Sequence, residues 1–160
     1  MPQGSTQAMD LNAILVSGSP VIEEMEVETS ATQFCPGKLV IAGTADYQCA
    51  VAPTTSAIVI GVADVPSDQK LTAYYVPSAG GAVTKGFTAA DQIRVLHGDC
   101  VVKLIGLSGQ TIVVGTKVIS AANGMIQAGA TAGQCIGYSL ENATVRLSTK
   151  CDWVLVKLII

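Results

Sequence analysis

The sequence predicts an all-β protein: a compact β-barrel or β-sandwich-like domain with an extended N-terminal arm and very little helix. Three observations predict this class. Short apolar runs recur along the chain between clusters of Gly, Pro, Ser, Thr and Asn, the pattern of many short strands joined by turns. No window holds an apolar period of 3.6 residues for a useful length. The chain has 160 residues, of which 49% are hydrophobic and only 13% charged, so a single domain can bury a large core without help from metal or disulfide.

Residues 1–30 read as an acidic arm. QGSTQ and SGSP are turn-like, and strands are expected at 14–16 and 21–28. In VIEEMEVE, strand alternation sets Ile22, Glu24, Glu26 and Glu28 on one face, with Val21, Met25 and Val27 on the other beside Glu23. The result is a half-buried strand with an acidic outer face, expected to meet a partner or a neighbouring subunit by strand addition.

Residues 31–160 read as the β-rich domain, with strands expected at 38–42, 47–52, 57–63, 72–76, 92–96, 99–105, 111–114, 117–120, 125–127, 134–140, 143–147 and 153–160. The interval 66–86 reads as a long excursion centred on Tyr74-Tyr75, and 88–93 as a single helical turn. Asn123-Gly124 stands between two short apolar runs, which predicts a hairpin with a type I′ turn, because both central residues need positive φ. In the terminal WVLVKLII, Val154, Val156, Leu158 and Ile160 form a wholly apolar face and Trp153, Leu155, Lys157 and Ile159 a mostly apolar one. Such a strand is either central in a sheet or packed at a subunit interface. Trp153, Leu155 and Ile159 are the candidate interface residues.

Charge and chemistry narrow the function. The low charge content suggests surface covered by other subunits. The net charge of −3 hides an asymmetry: residues 1–28 carry five carboxylates and no Lys or Arg, and the remainder is weakly basic, so the two parts can complement each other between subunits. Nucleic acid is not an expected partner, since no basic stripe exists and aromatics make up 4% of the chain. No charge-free stretch suits a membrane span, and the start lacks the basic region of a signal peptide. Five widely spaced cysteines without a CxxC pair read as buried, reduced thiols, pointing to assembly in a reducing cytoplasm.

Catalysis has one candidate set, His97 with Asp99 and Cys100, as in a small β-barrel hydrolase. Neighbours this close on a strand or turn point apart, whereas catalytic groups normally converge from separate elements. Dispersed cysteines and a lone histidine supply no metal set, and the alternating glutamates lack the loop residues of a calcium site. No lysine stands at the Asn123-Gly124 turn, so the hairpin is not a biotinyl or lipoyl carrier. No cofactor is expected.

The order of the turns carries a resemblance. Phe34-Cys35-Pro36-Gly37-Lys38-Leu39-Val40, then Gly98-Asp99 before CVVKL, Gly115-Thr116-Lys117-Val118, Asn123-Gly124-Met125-Ile126 and Cys135-Ile136-Gly137-Tyr138-Ser139-Leu140-Glu141-Asn142-Ala143 together resemble the capsid decoration, or cement, proteins of tailed phages. The likeness spans about residues 34 to 160. Thr116-Lys117 replaces the acidic residue that the commoner form has after Gly115, and 67–86 matches no motif. The resemblance implies a non-enzymatic virion protein, made in the host cytoplasm, on the outer capsid surface, bound to the major capsid protein, homotrimeric, and stabilising the head, with Glu23, Glu24, Glu26 and Glu28 of the arm as the candidate contact with the capsid or a neighbour. Another virion module, such as a tail or spike base, is the alternative.

Overall fold

The computed structural model describes residues 13–29, 34–53, 55, 58–76, 82–129, 133–145 and 153–160. In chain order its strands are β1 (Leu15–Gly18), β2 (Val21–Val27), β3 (Leu39–Ala42), β4 (Gln48–Val51), β5 (Gly61–Asp64), β6 (Tyr75–Val76), β7 (Ala82–Val83) and β8 (Gln92–His97). There follow β9 (Cys100–Ile105), β10 (Thr111–Ile112), β11 (Lys117–Ser120), β12 (Ile126–Ala128), β13 (Gly137–Ser139), β14 (Ala143–Thr144) and β15 (Trp153–Leu158). The only helical elements among the described residues are the short 3-10 turns Leu71–Ala73 and Ala122–Gly124. The all-β expectation holds, and the barrel is real.

Five strands close that barrel in the order β2-β4-β3-β5-β8. Closure is made where β2 meets β4 at Glu26 and Val27, so the barrel is sealed at that end of β2. Met25 and Val27 are buried with Ile93 and Val95 on the facing strand, while Glu24 and Glu26 lie on the other face, opposite Arg94 and Gln92. A second sheet, antiparallel throughout, runs β1-β9-β15-β13-β11-β12. Its buried face carries Val102, Leu104, Val118, Ile126, Val154, Val156 and Leu158. Two small ribbons, β6 with β7 and β10 with β14, complete the fold, and one continuous apolar core joins all of it.

The two sheets share a pair of chain segments. β1 pairs with β9 in the second sheet, and β2 pairs with β8 in the barrel. Residues 15–27 thus run antiparallel to 92–105 through both sheets. The strand expected at 21–28 is therefore a stave of its own barrel: β8 takes one edge from Val21 to Glu26, and β4 takes the other at Glu26 and Val27. Residues 1–12 of the expected arm lie outside the described residues.

Side chains lock the sheet to the barrel. Phe34 and Tyr74 pack edge-on to Phe87 at 5.0 and 5.1 Å, and Tyr75 packs edge-on to Trp153 at 5.5 Å. The Asn123-Gly124 hairpin provides another lock. Asn123 (φ 55°) and Gly124 (φ 71°) are both left-handed, and the Met125 N–H donates to the Ala122 carbonyl at 3.2 Å, so the type I′ expectation is met. The tip docks on β3 and β4: the Gly124 N–H donates to Ala52 at 2.6 Å, and buried Lys38 donates to the Asn123 carbonyl at 3.0 Å.

Several expected elements change. Residues 88–93 form no helical turn. The Asp91 carboxylate accepts from the Thr88 N–H at 2.7 Å, Ala90 takes positive φ, and a strand starts at Gln92. This is side-chain turn chemistry of the kind Asp supplies locally. The strands expected at 57–63 and 134–140 shorten to β5 and β13. Between them the Gln134 amide both accepts from the Val59 N–H (2.7 Å) and donates to its carbonyl (3.1 Å), which takes the place of ladder pairing.

Adding a side chain at Gly124 would set its Cβ 2.7 Å from Val51 and 2.9 Å from the Leu39 carbonyl, in a conformation that L residues disfavour. Gly124→Ala is expected to destabilise the protein by about 1–3 kcal/mol. Urea unfolding checks this as a lower midpoint at unchanged slope.

Candidate functional site

The acidic strand divides in two. Glu26 accepts from Gln48 at 3.1 Å and Gln92 at 3.5 Å, and Glu28 accepts from the Thr44 backbone at 3.3 Å and from its hydroxyl. These two carboxylates are bonded to neighbouring residues on the outside of their own barrel. Glu23 and Glu24 are exposed, with Glu23 3.7 Å from His97 Nε2. Val21 and Ile22 beside them are exposed as well, so the first four residues of β2 present both faces to solvent as a ridge.

β15 is central in the second sheet, between β9 and β13. Its buried face is Val154, Val156 and Leu158. On the other face Trp153 turns toward its own chain, with its ring against Tyr75 and Gly37. Leu155 is half-buried and Ile159 exposed. Of the three candidate interface residues, Trp153 thus packs within the chain, and Leu155 and Ile159 remain on an open surface.

That surface holds residues that sequence reasoning missed. Across the sheet, Val101 stands opposite Lys157, Lys157 opposite Tyr138, and Tyr138 opposite Lys117. In the next row Lys103 stands opposite Leu155, and the Leu140 N–H donates to Leu155 at 2.9 Å. Lys157 also pairs with Asp99, and Lys103 donates to the Ala13 carbonyl at 3.2 Å. The signal was present: CVVKLI, GTKVIS and WVLVKL are apolar strands that each carry one lysine. Alternation puts each lysine on the face opposite the core, but only pairing brings the three together.

The hydrolase constellation is not assembled. His97 ends β8 in the barrel and Cys100 begins β9 in the other sheet, and the two share no hydrogen bond among the described residues. Burial pushes the Cys100 thiol up, and nearby Asp99 adds to this while Lys157 pulls against it. Burial also raises Cys35, and Cys49 to about 12. A nucleophilic thiol needs the reverse shift. Cys35, Cys49, Cys100 and Cys135 are free thiols, and Cys151 lies outside the described residues. Among the described residues no three His, Cys, Asp or Glu side chains gather to hold a metal, and no helix is long and apolar enough to cross a membrane.

A cleft of about 200 Å³ opens between Leu15, Ile22, Leu71 and Leu96, with Arg94 and Asp64 at its wall. It is smaller than the clefts that hold drug-sized ligands. Arg94 Nη2 lies 2.6 Å from Asp64, and Nε donates to the Val65 carbonyl at 3.1 Å. Burial raises the Asp64 carboxyl, and the Val65 N–H and the Arg94 cation pull it back.

No protein-family model matches the chain, and no curated protein matches it. Among solved structures, the chain is similar to the N base of the head fiber protein gp8.5 of bacteriophage phi29. The TM-score is 0.53 at 13% identity, over 88% of this chain and 95% of that one. The likeness is one of fold, and it extends over almost the whole of both chains.

Removing the cation at Asp64 leaves a buried carboxylate short of a partner. Arg94→Met is expected to cost about 1–3 kcal/mol at neutral pH. The folded-state carboxyl then rises further above its unfolded value, so the mutant's deficit is full above that raised range and shrinks as pH falls through it. Urea midpoints of both proteins, followed from pH 7 downward, check the sign.

Proposed function

We propose that this chain is a non-enzymatic structural protein of a tailed-phage virion. It sits on the outer surface of the assembled head, bound to the major capsid protein as a homotrimer, and stabilises the head. The observation that carries this reading is the fold shared with a phage head fiber base across nearly the full length of both chains. The turn motifs from Phe34 to Ala143 support it independently, since they are read from residues and not from backbone shape.

The chemistry agrees with the role. A protein that holds a lattice together needs stable surfaces and no reactive group, and the buried thiols here are raised away from reactivity. Free thiols also suit a protein made in the reducing cytoplasm of a host. A low share of charge together with an open lysine, tyrosine and leucine face suits a subunit that meets others.

The test is imaging of particles made with and without the gene. Density on the head surface is expected to vanish without it, and the heads to rupture at a lower temperature. Restoration by adding the purified protein to finished heads completes the expected result. Loss of density from the tail or from a spike base, with the head surface unchanged, overturns the assignment.

A further inference from the structure

The role proposed above makes no use of the Asn123-Gly124 pair, although its chemistry is distinctive. Asparagine before glycine is the pair most prone to spontaneous deamidation, because glycine has no side chain to keep its backbone nitrogen from the asparagine amide. The Gly124 nitrogen, once it has lost its proton to solvent, attacks Cγ of Asn123. A cyclic succinimide forms, the bond from Cγ to the side-chain nitrogen breaks, and ammonia leaves. Water then opens the ring to aspartate or isoaspartate. In the folded protein the Asn123 side chain is exposed and Gly124 is buried. The Gly124 N–H donates to the Ala52 carbonyl at 2.6 Å, and Lys38 donates to the Asn123 carbonyl at 3.0 Å. Asn123 is held at φ 55° and ψ 38°. At that left-handed ψ the Gly124 nitrogen lies nearly opposite the Asn123 Cβ about the Cα–C bond, whereas the ring closes only when the two are eclipsed.

We propose that Asn123 is a deamidation site which the docked hairpin tip holds unreactive, and that its conversion to isoaspartate releases the tip from the barrel. The bond to Ala52 keeps the proton on the Gly124 nitrogen, burial keeps base away from it, and the left-handed backbone keeps it away from Cγ. Lys38 acts in both directions. Its cation at the Asn123 carbonyl withdraws charge from the same peptide group and makes the Gly124 N–H a stronger acid, yet the same contact ties down the turn. Geometry decides the balance, because an acidic N–H on the wrong side of the Cα–C bond closes no ring. Reaction therefore requires the tip to lift from Ala52 and Lys38 and to turn at ψ, a local opening of the kind that costs less than global unfolding. Its product is permanent. Aspartate keeps the main chain and tolerates positive φ, so that branch leaves the tip able to dock again. Isoaspartate adds a methylene to the main chain and moves Gly124 from its place. No room exists for the shift, since even a Cβ on Gly124 would lie 2.7 Å from Val51 and 2.9 Å from the Leu39 carbonyl.

Peptide mapping by mass spectrometry tests this on the full-length protein in mildly alkaline buffer, with the aspartate and isoaspartate peptides separated. Asn123 is expected to deamidate at least about 100-fold more slowly in the folded protein than in the same chain unfolded in urea, because only the open fraction reacts. Lys38→Met keeps an apolar stem and removes the tether. It is expected to raise the folded-state rate at least about 10-fold with an unchanged circular dichroism spectrum, and hydrogen exchange at the Gly124 N–H is expected to quicken with it. Folded protein carrying isoaspartate, separated from the unreacted form, is expected to unfold at a lower urea midpoint. A folded-state rate within a few-fold of the unfolded one overturns the protection, and that comparison stands whether or not Lys38→Met folds. A folded Lys38→Met protein that reacts no faster overturns the part given to the tip contacts, and an unchanged midpoint for the isoaspartate form overturns the release.

Discussion

The fold depends on one antiparallel ribbon, residues 15–27 running against residues 92–105. In one half of it, β1 and β9 pair within the six-stranded sheet, and in the other half β2 and β8 pair within the barrel. The ribbon changes sheet at a corner where Gly18 (φ 97°) lies against Asp99 and Cys100, and Gly98 (φ 92°) turns the other strand. A Cβ on Gly18 would sit 2.7 Å from the Asp99 carbonyl and from the Cys100 Cα, so no larger residue fits there. Register is transmitted through this corner. A slip of one residue in either half would turn Met25 and Val27, or Val102 and Leu104, out of the core.

The ribbon also decides where charge is displayed. It draws β2 into the barrel, where Glu26 and Glu28 bond to neighbouring residues while Glu23 and Glu24 stay exposed. It makes β9 a neighbour of β15, and so brings Lys103 and Lys157 onto one face. The Lys157–Asp99 pair stands at the corner itself, one residue from Gly98. The acidic ridge and the basic face are therefore products of the same pairing rather than separate local features.

The remaining contacts hold the barrel against the sheet at places far from the corner. Trp153 on Tyr75, the aromatic group around Phe87, and the Asn123-Gly124 tip under Lys38 each join segments distant in sequence. Such long-range, mostly apolar bonding makes one cooperative unit from short strands that have little stability alone. Cys35, Cys49, Cys100 and the buried Lys38 serve cohesion: the three thiols are displaced from reactivity by burial, and the lysine caps a carbonyl of a turn.

Local chemistry made part of this legible in the sequence. The two-residue alternation of VIEEMEVE announced that Met25 and Val27 enter the core, though Val21, expected beside them, stays exposed, and Asn-Gly announced its own turn, because both depend on backbone geometry near the residue. The sequence by itself therefore determined the all-β class, the positions of most strands, the faces of β15 and those of the second half of β2. It left open whether WVLVKLII was central in a sheet or held at an interface, since an apolar strand wants cover from either source. Tertiary structure decided that, by flanking β15 with β9 and β13. It also decided the fate of residues 58–60 and 134–136, where a Gln134 side chain replaces a ladder. The gathering of Lys103, Lys117 and Lys157 was beyond local reading for the same reason: which strands become neighbours is set by pairing across tens of residues, and no periodicity within a strand encodes its partner.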